Sequence, residues 1–264
     1  MEQNLGAMAT FGEAVQQSFP IEKESAVRRV ELTERDLAVL EFILEMKFAR
    51  VRDVFQKFFK TTLSAEEAKS EAWAKKRLHQ LVQARFLRVT YSHLDSERYF
   101  TTTLKAFNAL ATMSPMRSLA KPVRGFDHRT LLHDRVVIEF RLNIERQFGE
   151  VHWISDRRLK SEAAADYGLN SANVPDGIYT LPGGEVVAFE LEIAQKARRR
   201  YRDKIENYVE LIRERRGQPG MFRRVYFLCL KETVEKALRE ESRMYGDLIQ
   251  IERRSFTSRF GGVL

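Results

Sequence analysis

Two acids alternate along the segment V-V-A-F-E-L-E-I, residues 186–193, so Glu190 and Glu192 fall on one face of a strand and Phe189, Leu191 and Ile193 on the other. Asp176, in V-P-D-G, stands before a glycine at the entry to the preceding strand, where hairpin pairing brings its carboxylate toward that of Glu190. Hard divalent cations such as Mg2+ or Mn2+ take carboxylates together with water and phosphate oxygens. A cation so held can polarise a phosphoryl group and supply hydroxide near neutral pH. Asp176 and Glu190 are therefore candidate metal ligands. The competing reading is bland: acids on the solvent face of a strand are common, and D…E-x-E arises by chance in many proteins.

Beside the acids runs K-A-R-R-R-Y-R-D-K, residues 196–204, able to hold a nucleic-acid backbone through Arg198, Arg199 and Arg200. Residues 195–224 hold eleven Lys or Arg against four Asp or Glu, nearly all of the chain's net charge of +8. The excess favours a polyanionic partner, the alternative being a solvated helix that happens to be basic. A second cationic set lies near residue 80. Removing the apolar stripe Ala74, Leu78, Leu81 and Val82 from a helix there leaves Lys75, Lys76, His79, Gln80 and Gln83 outward. Lysine suits phosphates and glutamine suits the paired donor and acceptor of adenine.

Other chemistry is poorly supported. His128 and His133 are five apart and do not stack on one helical face as i, i+4 would, which argues against a transition-metal site with Asp134. Trp73 and Trp153 sit in apolar-rich elements and read as core anchors. There is no Walker-type glycine loop, dinucleotide fingerprint or Ser or Cys nucleophile signature.

The elements that must position these residues follow from periodicity. Residues 1–29, which include Pro20, are polar and aperiodic, and read as a mobile arm. Thr33 with Asp36 three residues on, and the apolar pair Leu32 and Leu37, start a helix marked by Leu40, Ile43, Leu44 and Phe48. A shorter helix carries Val51, Val54, Phe55 and Phe58; a third begins at Ser64, with Glu67 completing a capping box, or at Ser70, and ends near Phe86. Two strand-like runs, 86–91 and 98–103, flank the charged tip S-H-L-D-S-E and predict a hairpin. Three helices followed by a hairpin is the order of a winged helix-turn-helix over residues 30–111, in which the third helix enters the DNA major groove. The competing use of that arrangement is protein contact or dimerisation. Residues 112–126, with two prolines and a glycine, read as a linker.

Residues 127–264 then run helix 127–148, strand 151–155, strand 178–181, a P-G-G-E turn, strand 186–193, helix 195–216, strand 224–230, helix 232–245 and strand 248–253. That order predicts a mixed-sheet α/β domain, so the chain is α/β, α+β overall. At 264 residues and 44% hydrophobic, disordered and collagenous chains are excluded. No apolar run approaches the roughly 18 residues of a membrane span. With no secretory leader in view and one cysteine, Cys229, a cytoplasmic location and no membrane partner are expected.

Taken in order, L-T-E-R-D-L-A-V-L-E-F-I, R-L-H-Q-L-V-Q-A-R-F-L, R-Y-F-T-T-T, V-P-D-G-I-Y, V-A-F-E-L-E-I-A-Q-K and R-Y-R-D-K-I-E-N-Y resemble the replication-relaxation family over residues 30–230. The resemblance implies a winged helix preceding a domain related to the PD-(D/E)XK nucleases, and a DNA-associated role in replication, mobilisation or transcriptional control. Mapped onto the nuclease pattern, Asp176 is the aspartate, Glu190 the second acid and Glu139 a further acid. The lysine expected two residues after Glu190 is Glu192, and the nearest lysine is Lys196. The set Asp176, Glu190, Glu192 and Lys196 is thus the implied catalytic site of a Mg2+- or Mn2+-dependent DNA endonuclease. The departure at Glu192 equally implies a relative that has kept binding and lost efficient cleavage. On either reading the partner is DNA, gripped by one continuous basic shelf drawn from both halves of the chain. Winged helices often dimerise, so a homodimer is one expected assembly.

Overall fold

The computed structural model describes residues 30–60, 70–113, 119–125, 127–149, 151–163, 165–169 and 173–255. The arm expected over residues 1–29, and the helix start expected at Ser64 with Glu67, lie outside the described residues.

The first helix, α1 (Glu34–Glu45), starts where capping chemistry requires: Thr33 Oγ1 accepts from the Asp36 amide at 3.2 Å and Asp36 Oδ2 accepts from the Thr33 amide at 2.8 Å. Helix α2 (Val51–Val54) continues as a π-helical turn over Phe55–Phe59. Helix α3 (Ala72–Gln83) begins at the second of the two expected starts, where Ser70 Oγ accepts from the Ala72 amide at 3.1 Å. Strands β1 (Leu87–Tyr91) and β2 (Arg98–Thr102) form the expected antiparallel hairpin, with Leu87 opposite Thr102, and Ala49 bridges to Phe100 beside it. An unforeseen helix, α4 (Leu104–Met113), follows β2, and residues 119–125 of the expected linker are irregular.

The second half opens with α5 (Leu131–Phe148) and strand β3 (His152–Ser155). The connection after β3 holds the short helix α6 (Asp156–Arg158) and a π-helical turn over Leu159–Ala163. Then come β4 (Gly177–Thr180), β5 (Val186–Glu192), α7 (Arg198–Glu214), β6 (Arg224–Cys229), α8 (Glu232–Ser242) and β7 (Ile249–Arg253). The five strands lie in sequence order: β3 and β4 pair antiparallel across the long connection that holds α6, β4 and β5 pair antiparallel through a short turn, and β5, β6 and β7 pair parallel across the helices α7 and α8. The fold is mixed α/β, a five-stranded mixed sheet with helices beside a two-stranded hairpin unit.

Strand alternation sends Val187, Phe189 and Leu191 to one face, where Phe140 of α5 stacks on Phe189 with ring centroids 3.8 Å apart. Val186, Ala188, Phe227 and Cys229 face the other way, under Tyr201, Ile205 and Tyr208 of α7 and Leu238 of α8. The α5 core continues without interruption into Leu40, Ile43 and Leu78 of the first unit. Ion pairs fasten the two halves along α5: Lys47 with Asp134 at 2.7 Å, Arg50 with Glu139 at 3.2 Å and Arg135 with Asp95 at 2.9 Å. No helix among the described residues is long and apolar enough to cross a membrane.

Candidate functional site

Glu190 and Glu192 do share one face of β5, but that face is not solvent: the residues are 4% and 1% exposed beneath α7. Two α7 side chains one helical turn apart, Lys204 and Tyr208, reach down to them. Lys204 Nζ lies 2.8 Å from Glu190 Oε2 and 3.0 Å from Glu192 Oε1, and the Tyr208 hydroxyl donates to Glu190 Oε1 at 2.5 Å. Lys196 Nζ closes on Glu192 Oε2 at 2.6 Å. Asp176 stands at the adjacent mouth of β4, where its Oδ2 accepts from the Leu191 amide at 2.8 Å and meets His133 Nε2 at 3.2 Å. His133 Nδ1 lies 3.6 Å from Asp134, which pairs with Lys47, so a chain of polar contacts runs from the first unit to the sheet.

Electrostatics follow from burial and these partners. Burial, and next the Asp176 charge, raise the Glu190 carboxyl above its usual range despite Lys204. Burial also opposes ionisation of Asp176, but the His133 hydrogen bond and charge outweigh it and hold the carboxyl low. For His133, burial would lower the imidazole, yet bonds to Asp134 and Asp176 prevail and push it up to about 10. Burial works against the Lys204 ammonium as well, and the two glutamates overcome it and raise it. The carboxyl groups of Asp176, Glu190 and Glu192 thus lie against the amines of Lys204 and Lys196 and the imidazole of His133.

This donor set bears directly on metal binding. Both oxygens of Glu190 and of Glu192, and Oδ2 of Asp176, already have a cation or donor within hydrogen-bond reach. An ammonium holds the space between the glutamates, and the cavity beside Asp176 measures about 20 Å3, room for one water. Among the described residues no group of three or more His, Cys, Asp or Glu is arranged to hold a metal ion. As arranged, the acids fit Lys204 rather than a divalent cation.

Three side chains belong to this cluster that the sequence analysis did not place there: Lys204, read only as part of a basic run, Tyr208, and His133, weighed only as a transition-metal ligand. Lys204 and Tyr208 share a helical face by their i, i+4 spacing, which was legible, whereas His133 reaches Asp176 across 43 positions, which was not. Glu139 lies away from the cluster, pairing with Arg50 and Arg52 of the first unit. His128 lies against His93 of the hairpin tip, ring centroids 4.2 Å apart and planes tilted by 45°.

The second candidate surface belongs to α3. Lys75, Lys76, His79 and Gln83 are exposed and Gln80 half-buried, while Ala74, Leu78 and Leu81 are buried as the stripe requires. Arg77 sets the helix against α1, its Nε donating to Asp36 Oδ1 at 2.8 Å and its Nη2 to the Glu31 carbonyl at 2.9 Å. Lys75, Lys76, His79 and Gln80 line a groove of about 1110 Å3 whose far wall is the hairpin, with Tyr91 and Arg98. The hairpin tip is not free: Asp95 accepts from Arg135 of α5 and from the Tyr99 hydroxyl. Trp153 is the expected core anchor, but Trp73 is 70% exposed, a correction with a plain cause, since it precedes the buried stripe by one residue and so points about 100° away from it.

Arg198, Arg199 and Arg200 are exposed at the start of α7, and two of them meet acids: Arg198 pairs with Glu240 at 2.7 Å and Arg199 with Asp203 at 3.7 Å. Helix α7 covers the sheet face opposite α5, while the unit bearing α3 packs on the α5 side. The sheet stands between the two basic groups, so they do not join into the single shelf expected from the sequence. Comparison of the chain with known protein families, curated proteins and solved structures finds no match.

Proposed function

We propose that the chain is a DNA-binding protein of the replication-relaxation type, acting in replication, mobilisation or transcriptional control. In this reading residues 30–111 serve as a winged helix-turn-helix, and residues 127–264 are a PD-(D/E)XK-like domain that has kept the nuclease framework without efficient cleavage. The observation that carries it is the exposed face of α3: Lys75, Lys76 and His79 line one groove with Arg98 of the hairpin, while Ala74, Leu78 and Leu81 of the same helix are buried and the fourth stripe residue, Val82, is half-buried at the groove. Cations on a rigid helix beside an open groove are what backbone binding needs. Loss of cleavage is supported by Glu192, which stands where the resemblance implies a lysine and pairs with Lys196 at 2.6 Å.

Electrophoretic mobility shifts test the reading. The native chain should retard duplex DNA with a steep salt dependence, and Lys75→Ala/Lys76→Ala should weaken binding and lower the salt slope by about two counterions. Binding that is unchanged in the double variant and insensitive to salt refutes it.

A second reading, a Mg2+- or Mn2+-dependent DNA endonuclease, is favoured by one observation: the Asp176 charge and the Lys204 ammonium both act on the Glu190 carboxyl. Supercoiled and branched DNA incubated with either metal decides between the two. Nicking abolished by Asp176→Ala supports the endonuclease; no nicking, or nicking that survives the substitution, removes it.

A further inference from the structure

Two hollows lie along α3. The groove already described contains Tyr91 and Arg98, and a second hollow of about 580 Å3 contains Trp73, Phe59 and Arg35. Lys76 and Gln80 line both, so the hollows are neighbours on the same helix. Three aromatic rings in this track have a cation over the face: Arg35 lies 5.1 Å from the Phe59 centroid, Lys76 5.5 Å from Trp73 and Arg98 5.5 Å from Tyr91. Trp73 and Tyr91 are nevertheless 70% and 62% exposed.

Neither exposed ring anchors its own element. Helix α3 is fixed by Ala74, Leu78 and Leu81 and by the Arg77 pair with Asp36, and β1 packs through Leu87. Duplex DNA has little use for such rings, because its bases are stacked on one another and offer only their edges in the grooves. An unpaired strand presents a π-face with every nucleotide and a phosphate beside it, the combination that aromatic platforms flanked by Lys or Arg recognise without regard to sequence. A peptide partner is the weaker match, since the cations sit over the rings themselves and an apolar side chain docking there would desolvate them without compensation.

We infer that the α3 track takes single-stranded nucleic acid, or the unpaired stretch adjoining a duplex, with bases stacked on Trp73 and Tyr91 and phosphates at Lys76 and Arg98. The inference rests on the reading that this unit binds nucleic acid, and specifies the form bound.

The full chain reports the event itself, because it has two tryptophans and the other, Trp153, is 3% exposed in the core. Labelled 20-nucleotide single-stranded DNA, single-stranded RNA of the same sequence, a blunt duplex, and that duplex with a single-stranded overhang are titrated by fluorescence anisotropy while indole emission is followed. The single-stranded and overhang probes should bind about tenfold more tightly than the blunt duplex and quench the exposed indole. Trp73→Ala and Tyr91→Ala should each lose about tenfold on those probes and less than about twofold on the blunt duplex, and Trp73→Phe should retain most of the affinity. The urea midpoint should not move in any of the three, since both rings face water. The two single-stranded arms tell whether DNA or RNA is preferred. Equal affinity for blunt duplex and single strands with unchanged emission overturns the inference and leaves the DNA-binding reading standing. No retention of any probe, the protein remaining folded, overturns both.

Discussion

Replacing Lys204 by methionine should cost the fold about 3 kcal/mol at neutral pH, because it leaves two buried carboxylates with a single ammonium. The number comes from the geometry. Lys204 Nζ is 2.8 Å from Glu190 and 3.0 Å from Glu192, whose side chains are 6% and 1% exposed, and what remains after the substitution is Lys196 on Glu192 and the Tyr208 hydroxyl on Glu190. Removing one partner of a buried pair typically costs roughly 3–5 kcal/mol, and the 26% exposure of the Lys204 side chain places this case at the lower end. For a chain of this size that is a fall in Tm of roughly 6–12 °C. The loss should also depend on pH. Burial already raises Glu190 above its ordinary 4.5, and without Lys204 it rises further. An acid whose folded pKa lies above its unfolded one loses stability as pH climbs from the unfolded value through the folded one. The deficit of the variant relative to the native chain should therefore widen over the pH range above the native fold's own raised Glu190 value, and shrink below it. Urea unfolding at both ends of that range measures it, with Lys204→Met/Glu190→Gln as the companion, which should recover at least half because the amide oxygen still accepts from Tyr208. A neutral-pH loss under about 1 kcal/mol, a loss independent of pH, or a double variant no better than the single would refute the reasoning.

His133 gives the opposite kind of titration: its folded pKa is raised from 6.5 to about 10, so its contribution is complete below 6.5 and is lost as pH rises to about 10. The urea midpoint of the native chain should fall across that window, and His133→Gln should flatten the fall; parallel profiles would mean that the imidazole is not paired as described. A Cβ at Gly177 would enter the Trp153 ring, so Gly177→Ala should cost about 1–3 kcal/mol by overpacking, checked by chemical denaturation, with an unmoved midpoint counting against the packing. Arg198→Ala/Arg199→Ala/Arg200→Ala should alter DNA mobility shifts less than Lys75→Ala/Lys76→Ala, since these arginines lie across the sheet from the α3 groove; an equal or larger effect would show that the backbone path runs over α7.

Local chemistry was legible where it is local in space. Thr33 and Asp36 cap α1 because the two groups are three residues apart and need nothing else. The hairpin 87–102 and the alternation of β5 follow from strand geometry in the same way. Helix α4 is equally legible, since Leu104, Phe107 and Leu110 fall at helical spacing. Trp73 was readable too: apolar company suggested the core, but the phase of the stripe through Ala74, Leu78 and Leu81 points the indole elsewhere.

Residue spacing alone settles which side chains share a face: Glu190 with Glu192, Lys75 with His79, Lys204 with Tyr208. That is fixed by the two-residue and 3.6-residue repeats of the backbone, whatever the rest of the chain does. Which face meets which layer was decided only by tertiary structure. The crossover of α7 put Lys204 over the β5 acids and turned an apparent solvent face into a buried, neutralised cluster. The packing of α5 between the sheet and the first unit brought His133 to Asp176, took Glu139 away to Arg50 and Arg52, and left the sheet between the two basic groups. Those outcomes depend on contacts between residues tens of positions apart, formed because several apolar faces must be covered at once, and no period along the chain encodes that.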